Sequence, residues 1–154
     1  MLSQHSRYAL KALIHLASCG QTTPQSVASI ALGARIPRKF LETIFLDLKR
    51  EGFVYATRGA RGGYVLARPA EQISFGEVIR SIEGPLALIG CASQKFYRPC
   101  NDCPDEAACT LRRIMLEARE QLAGVLDQRT IADAMNNGAA CAVVLDEEPA
   151  TVSA

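Results

Sequence analysis

The 154-residue chain has no uninterrupted apolar run long enough to cross a bilayer, and no stretch of it reads as a charged-then-apolar secretory signal with a small-residue cleavage site. The expectation is a cytoplasmic protein with no membrane partner, where thiols stay reduced and clustered cysteines favour metal or redox chemistry over structural disulfides. Its two histidines, His5 and His15, lie on or before the first helix with no serine or carboxylate constellation around them, which argues against an enzyme. It has no GKS/T motif and no strand-to-helix passage after its glycine-rich stretch, so that stretch does not read as a phosphate-cradling loop. A C-x-x-C pair stands at Cys100 and Cys103, but the β-α-β context of a thioredoxin-like dithiol is missing. What remains is enough chain for one ordinary core, or one small domain with an appended helix.

Net charge is nearly absent, at +1, but the total conceals an asymmetry. Residues 1–70 hold ten Lys/Arg against three Asp/Glu, whereas residues 71–154 hold seven against thirteen. A basic front half and an acidic back half imply that only the front meets a polyanion.

The front half is patterned as helix, helix, turn, helix and hairpin. Arg7 to Ala17 places Tyr8, Leu13 and Leu16 at helical spacing, and Gly20 closes that helix. Thr23-Pro24 opens a second helix over Gln25 to Ala31, and Leu32-Gly33-Ala34 forms the turn. Pro37 opens a third, Arg38 to Glu51, whose Phe40, Leu41, Ile44, Phe45 and Leu48 follow the three-four rhythm of one buried face before Gly52 ends it. Two β-prone runs, 53–57 and 64–67, flank Arg58-Gly59-Ala60-Arg61-Gly62-Gly63, a hairpin with two arginines at its tip. The sum is a helix-turn-helix with a wing, in which the later helix enters the major groove of DNA.

The back half begins with a capping box at Ser74 and Glu77, opening a helix that ends at Gly84-Pro85. From Thr110 a long helix runs to about Met135, with Leu111, Met115, Ala118, Leu122 and Val125 near heptad spacing, a stripe that predicts packing on a second copy of the chain. Between them lie Cys91, Cys100, Cys103 and Cys109, spaced C-x8-C-x2-C-x5-C among turn formers such as Pro99, Asn101, Asp102, Pro104 and Asp105. Their polar, proline-rich setting is unlike that of cysteines used as small hydrophobes, and it points to ligation or redox use. Cys19 and Cys141 fit the bland role instead.

Read together, RYALKALIHLA, IPRKFLETIFLDLKREGFV, TRGARGGYVLARP and a cysteine loop leading into a long helix resemble the Rrf2 family of bacterial regulators, the group containing IscR, NsrR, RirA and CymR. The likeness spans residues 1–135, and the wing string RGxxGGYxLxR is its most specific part. It implies a homodimeric winged-helix transcription factor acting on a double-stranded DNA operator, with long helices crossing at the dimer axis. It also implies a 2Fe-2S or 4Fe-4S iron-sulfur cluster in the loop, although other members lack one and respond through a protein partner or thiol chemistry. Cys103 and Cys109 have the separation of the last two family ligands, and Cys91 stands where the first belongs. Two familiar non-cysteine ligands are missing: the histidine three residues after the last cysteine is Arg112 here, and Arg7 and Tyr8 occupy the region that supplies a carboxylate from the first helix of a partner subunit. An all-cysteine site with Cys100 as fourth ligand is the simplest resolution, with an open iron or His5 as alternatives. For DNA, the resemblance points to Glu42 and Thr43 in the recognition helix and Arg58 in the wing; the Glu is chemically suited to accept from cytosine N4 and the Arg to enter a narrow minor groove. Arg38, Lys39 and Arg61 suit phosphate contacts.

The expected architecture is therefore mainly α with a small β-hairpin wing: a winged helix-turn-helix domain over 1–84, a cysteine-rich loop over 85–109, a dimerisation helix over 110–135 and a disordered tail over 136–154. The leading function is an operator-binding regulator controlled by an iron-sulfur cluster. The competing ones are a zinc-stapled DNA-binding protein and a metal-free thiol switch through Cys100 and Cys103.

Overall fold

The computed structural model describes residues 2–20, 22–59 and 61–135; the tail expected over 136–154, with Cys141, lies outside them. Helix α1 (Gln4–Ser18) starts where the Ser3 hydroxyl accepts from the Ser6 amide, and it buries Ala9, Leu10, Ala12, Leu13, Leu16 and Ala17 along one side. It is the floor of the domain, packed on by α2 (Val27–Gly33), α3 (Arg38–Arg50), α4 (Phe75–Glu83) and α6 (Ile131–Met135).

Helix α2 begins two residues later than its proline predicts, because Gln25 is used for pairing. The Gln25 amide and carbonyl exchange hydrogen bonds with Tyr64 at 3.0 and 2.8 Å, adding a one-residue third strand to the wing, and Ser26 then caps the helix. The turn into α3 also differs from expectation. The left-handed residue there is Arg35 (φ 53°), not Gly33, and it closes a Schellman motif in which Ile36 donates to Ala31 and Arg35 to Leu32. Gly33 serves packing instead: a methyl group there would overlap the buried His15 ring of α1. At the end of α3 the same motif recurs with Gly52 (φ 75°) at the left-handed position and Phe53 donating to Leu48.

Strands β1 (Val54–Thr57) and β2 (Gly63–Leu66) pair antiparallel from Val54↔Leu66 to Thr57↔Gly63. The core beneath them is built from Leu13, Ile30, Leu41, Ile44, Phe45, Leu48, Phe53 and Ile73, each essentially inaccessible, and each contributes roughly 1.5–3 kcal/mol by leaving water. Phe40, predicted on this face, is half exposed and rests at its edge on Tyr8, with ring centroids 5.8 Å apart.

The long helix expected over 110–135 is two helices. Helix α5 (Thr110–Gln128) stops because Arg129 turns extended and its carbonyl accepts from Phe75. Thr130 and Asp133 then cap each other reciprocally and open α6, whose Ile131 is fully buried and donates to Ile73. The last turn and a half thus folds back on the chain's own domain.

Candidate functional site

Helix α3 presents two chemically distinct faces. Leu41, Ile44, Phe45 and Leu48 point inward, leaving Arg38, Lys39, Glu42 and Thr43 exposed on the opposite side. Arg38 and Glu42 lie 3.9 Å apart with both side chains about two-thirds exposed, a contact worth only a few tenths of a kcal/mol and easily exchanged for another partner. Arg58 and Arg61 are exposed at the wing tip. Gly59 takes φ 112°, and Gly62 donates to its carbonyl at 2.9 Å. A side chain at Gly62 would collide with the Thr57 carbonyl, and one at Gly63 with the Gln25 backbone. The glycines therefore make the tip tight and let the α1–α2 connection approach. Tyr64 stacks on Phe45 and ties wing to helix, a role that alternation alone does not distinguish from ordinary burial.

The cysteine loop brings its thiols together as two pairs. Cys100 donates to Cys91 across 3.7 Å, while the half-buried Cys103 lies near enough to Cys109 to feel its charge. Cys109 is also the N-cap of α5, its sulfur accepting from the Arg112 amide at 3.4 Å. The hydrogen bond to Cys91 and the charge Cys91 would carry push the Cys100 thiol up from its ordinary value, while partial burial followed by the Cys109 charge does the same for Cys103. Cys100 and Cys103, the C-x-x-C pair expected for a thiol switch, are separated by the turn at Asn101-Asp102, and the hydrogen bond of Cys100 goes to Cys91.

Arg112, standing where the resemblance implies a histidine ligand, holds the loop instead. Its Nε donates to the Cys91 carbonyl at 3.0 Å and lies 3.7 Å from Glu106, which also accepts from the Tyr97 hydroxyl and thereby raises the tyrosine's pKa. Arg119, the one buried arginine among the described residues, reaches the Ala92 carbonyl at 3.4 Å. Both arginines belong to α5, so the single 3-10 turn Gly90–Ala92 that carries Cys91 is bound to that helix twice. Neither contact was legible from spacing. His5, the alternative fourth ligand, engages Asp47 of α3 at 3.1 Å, away from the loop.

Tetrahedral metal–thiolate bonds of about 2.3 Å separate neighbouring sulfurs by about 3.8 Å, close to the 3.7 Å between Cys91 and Cys100. Four soft sulfur donors in a polar loop fit iron or zinc in kind. As arranged, however, the pairs do not share one centre: among the described residues, no three His, Cys, Asp or Glu side chains form a metal-binding group.

Along α5, Leu111, Ile114, Leu122 and Val125 are 43–60 % exposed, with Met115 and Ala118 half-buried between them. Among the described residues no helix is long and apolar enough to cross a membrane.

Two helices joined by a tight turn, with a glycine-tipped hairpin stacked on the second, make this a winged helix-turn-helix protein. The Rrf2 model, described as an iron-dependent transcriptional regulator, matches residues 2–137, and the chain belongs to that family. It is 38% identical over 150 residues to an rrf2-like HTH-type transcriptional regulator of Rhodobacter capsulatus, covering 96% of this chain and 100% of that protein. Its identity to protein rrf2 of Nitratidesulfovibrio vulgaris is 35% over 140 residues, covering 91% and 90%. The fold is similar to CymR, the global cysteine regulator of B. subtilis (TM-score 0.74, 30% identity, 90% of this chain and 98% of that one). It is also similar to T. potens IscR (TM-score 0.69, 26% identity, 89% and 87%). The family and these relatives are transcriptional regulators, so the chain is a regulator that binds DNA.

Proposed function

We propose that this protein is a cytoplasmic, homodimeric regulator whose operator binding is controlled by an iron-sulfur cluster held by Cys91, Cys100, Cys103 and Cys109. The observation that carries the proposal is the position of the four thiols: they lie in the loop that caps α5, and Arg112 and Arg119 bind that loop to the helix. The bound group would supply an iron- and redox-sensitive cross-link between the two thiol pairs. The chain's own residues transmit its state. Arg112 holds the Cys91 carbonyl, Arg119 holds the next one, and any shift of that turn moves α5 and its exposed apolar stripe. Packing of that stripe on a second copy would set the spacing of two α3 helices on the two half-sites of an operator. There Glu42 and Thr43 read base edges, Arg58 enters the minor groove, and Arg38, Lys39 and Arg61 grip phosphates.

Anaerobic purification with iron, sulfide and zinc analysis tests the proposal. A coloured protein containing iron and sulfide, which loses both in Cys91→Ser, Cys103→Ser and Cys109→Ser, is expected. A colourless protein with stoichiometric zinc would replace the cluster by a structural staple. The direct contact of the Cys91 and Cys100 thiols favours a second, metal-free reading, a thiol switch.

A further inference from the structure

Cys91 and Cys100 are held face to face by the backbone. The Arg98 amide donates to the Gly90 carbonyl at 3.1 Å. A Cβ at Gly90 would stand only 3.0 Å from that of Arg98, so the absence of a side chain permits the close pass. Cys91 follows Gly90, and Cys100 comes two residues after Arg98; their sulfurs meet at 3.7 Å. The pair is asymmetric, since Cys91 is 3 % exposed and Cys100 is open to solvent.

We propose that Cys91 and Cys100 are a reversible disulfide site, closed by exchange with a low-molecular-weight disulfide such as oxidised glutathione. The proposal takes from the reading above only that this loop carries the signal; it needs no metal. The Cys100 thiolate attacks one sulfur of the small disulfide, whose S–S bond breaks and releases one thiolate, leaving a mixed disulfide on Cys100. The Cys91 thiolate then attacks the Cys100 sulfur, the mixed bond breaks, and a second small thiolate leaves. The two protein thiols lose two electrons and two protons, and the reagent becomes two thiols. Closing to the S–S length of a disulfide takes roughly 1.7 Å of travel, within reach of a side-chain rotation and a small loop shift. Cys91, not Cys103, is the thiol hydrogen-bonded to Cys100, and Cys109 is engaged in capping α5. Closure is felt beyond the loop, because the Cys91 and Ala92 carbonyls are the two held by Arg112 and Arg119.

The test uses the full-length protein, reduced, treated with a chelator, desalted and exposed to oxidised glutathione. After blocking of free thiols and digestion with trypsin and Asp-N, Cys91 lies in residues 81–95, while residues 96–101 contain Cys100 as their one cysteine. These two peptides should be found linked, and the link should disappear in Cys100→Ser and persist in Cys103→Ser, with circular dichroism checking that each variant is folded. A Cys100–Cys103 disulfide, or glutathione adducts without the link in the wild type, would overturn the proposal. Iron and sulfide are measured on an untreated sample. Their absence would count against the cluster alone, and a missing link after chelation against the disulfide alone.

Discussion

The Tyr64 ring of the wing lies flat on Phe45 of α3, with centroids 4.1 Å apart and an interplanar angle of 12°. One side chain thus fixes the direction of the hairpin relative to the helix beside it, while the Gln25 bridge holds the hairpin from the other side. Tyr64→Ala should lower stability by about 1–3 kcal/mol through lost stacking and burial, and should weaken DNA binding by loosening the wing. Tyr64→Phe keeps the ring and should preserve both. Urea denaturation and DNA titration check this; undiminished affinity in Tyr64→Ala would show that the wing is positioned without the stack.

Arg58→Ala and Glu42→Ala should act differently on DNA. Removing the wing arginine should weaken binding, most where the minor groove is narrow. Loss of Glu42 should relax base preference at one position, where a mismatch costs ~1–3 kcal/mol. Selection from a randomised DNA pool separates the two effects, and unchanged preference and affinity in both variants would remove this docking arrangement.

Leu122→Asp places a charge in the middle of the exposed α5 stripe. Dimerisation and DNA binding should fall together, as read by sedimentation and DNA titration, while the helical signal stays intact because Leu122 is 43 % exposed within one chain. A variant that stays dimeric would move the interface elsewhere.

His15 makes stability depend on pH. Its ring is buried over Gly33 with Cys19 Sγ 3.4 Å from Nε2, and desolvation lowers its pKa from the ordinary 6.5. The unfolded chain therefore takes up the proton first. This contribution to stability is fully present above pH 6.5 and is lost as pH falls through 6.5 toward the lower folded-state value. Comparing urea midpoints of wild type and His15→Asn across that range should show a steeper acid loss in the wild type. Parallel curves would show that the ring is not the titrating group. Gly33→Ala should independently cost about 1–3 kcal/mol by overpacking the same ring.

The sequence by itself determined the elements whose cause is local. The apolar rhythm of 41–48, the serine cap at Ser74, the glycine-rich tip at 59–63 and the clustering of four cysteines are each set by neighbours within a few residues. Tertiary structure decided whatever depends on a distant partner. Helix α5 ends at Gln128 because the Arg129 carbonyl is needed by Phe75, although the Thr130/Asp133 capping signal was present in the chain. Gly33, whose spacing matched a turn, is required by a histidine eighteen residues earlier, and Arg35 takes the left-handed turn position. The C-x-x-C spacing likewise suggested one thiol partnership, but a backbone hydrogen bond from Arg98 to Gly90 created another. Periodicity records which face a residue must bury; which atoms meet across that buried face is decided only when separate segments compete for the same hydrogen-bonding groups and the same space.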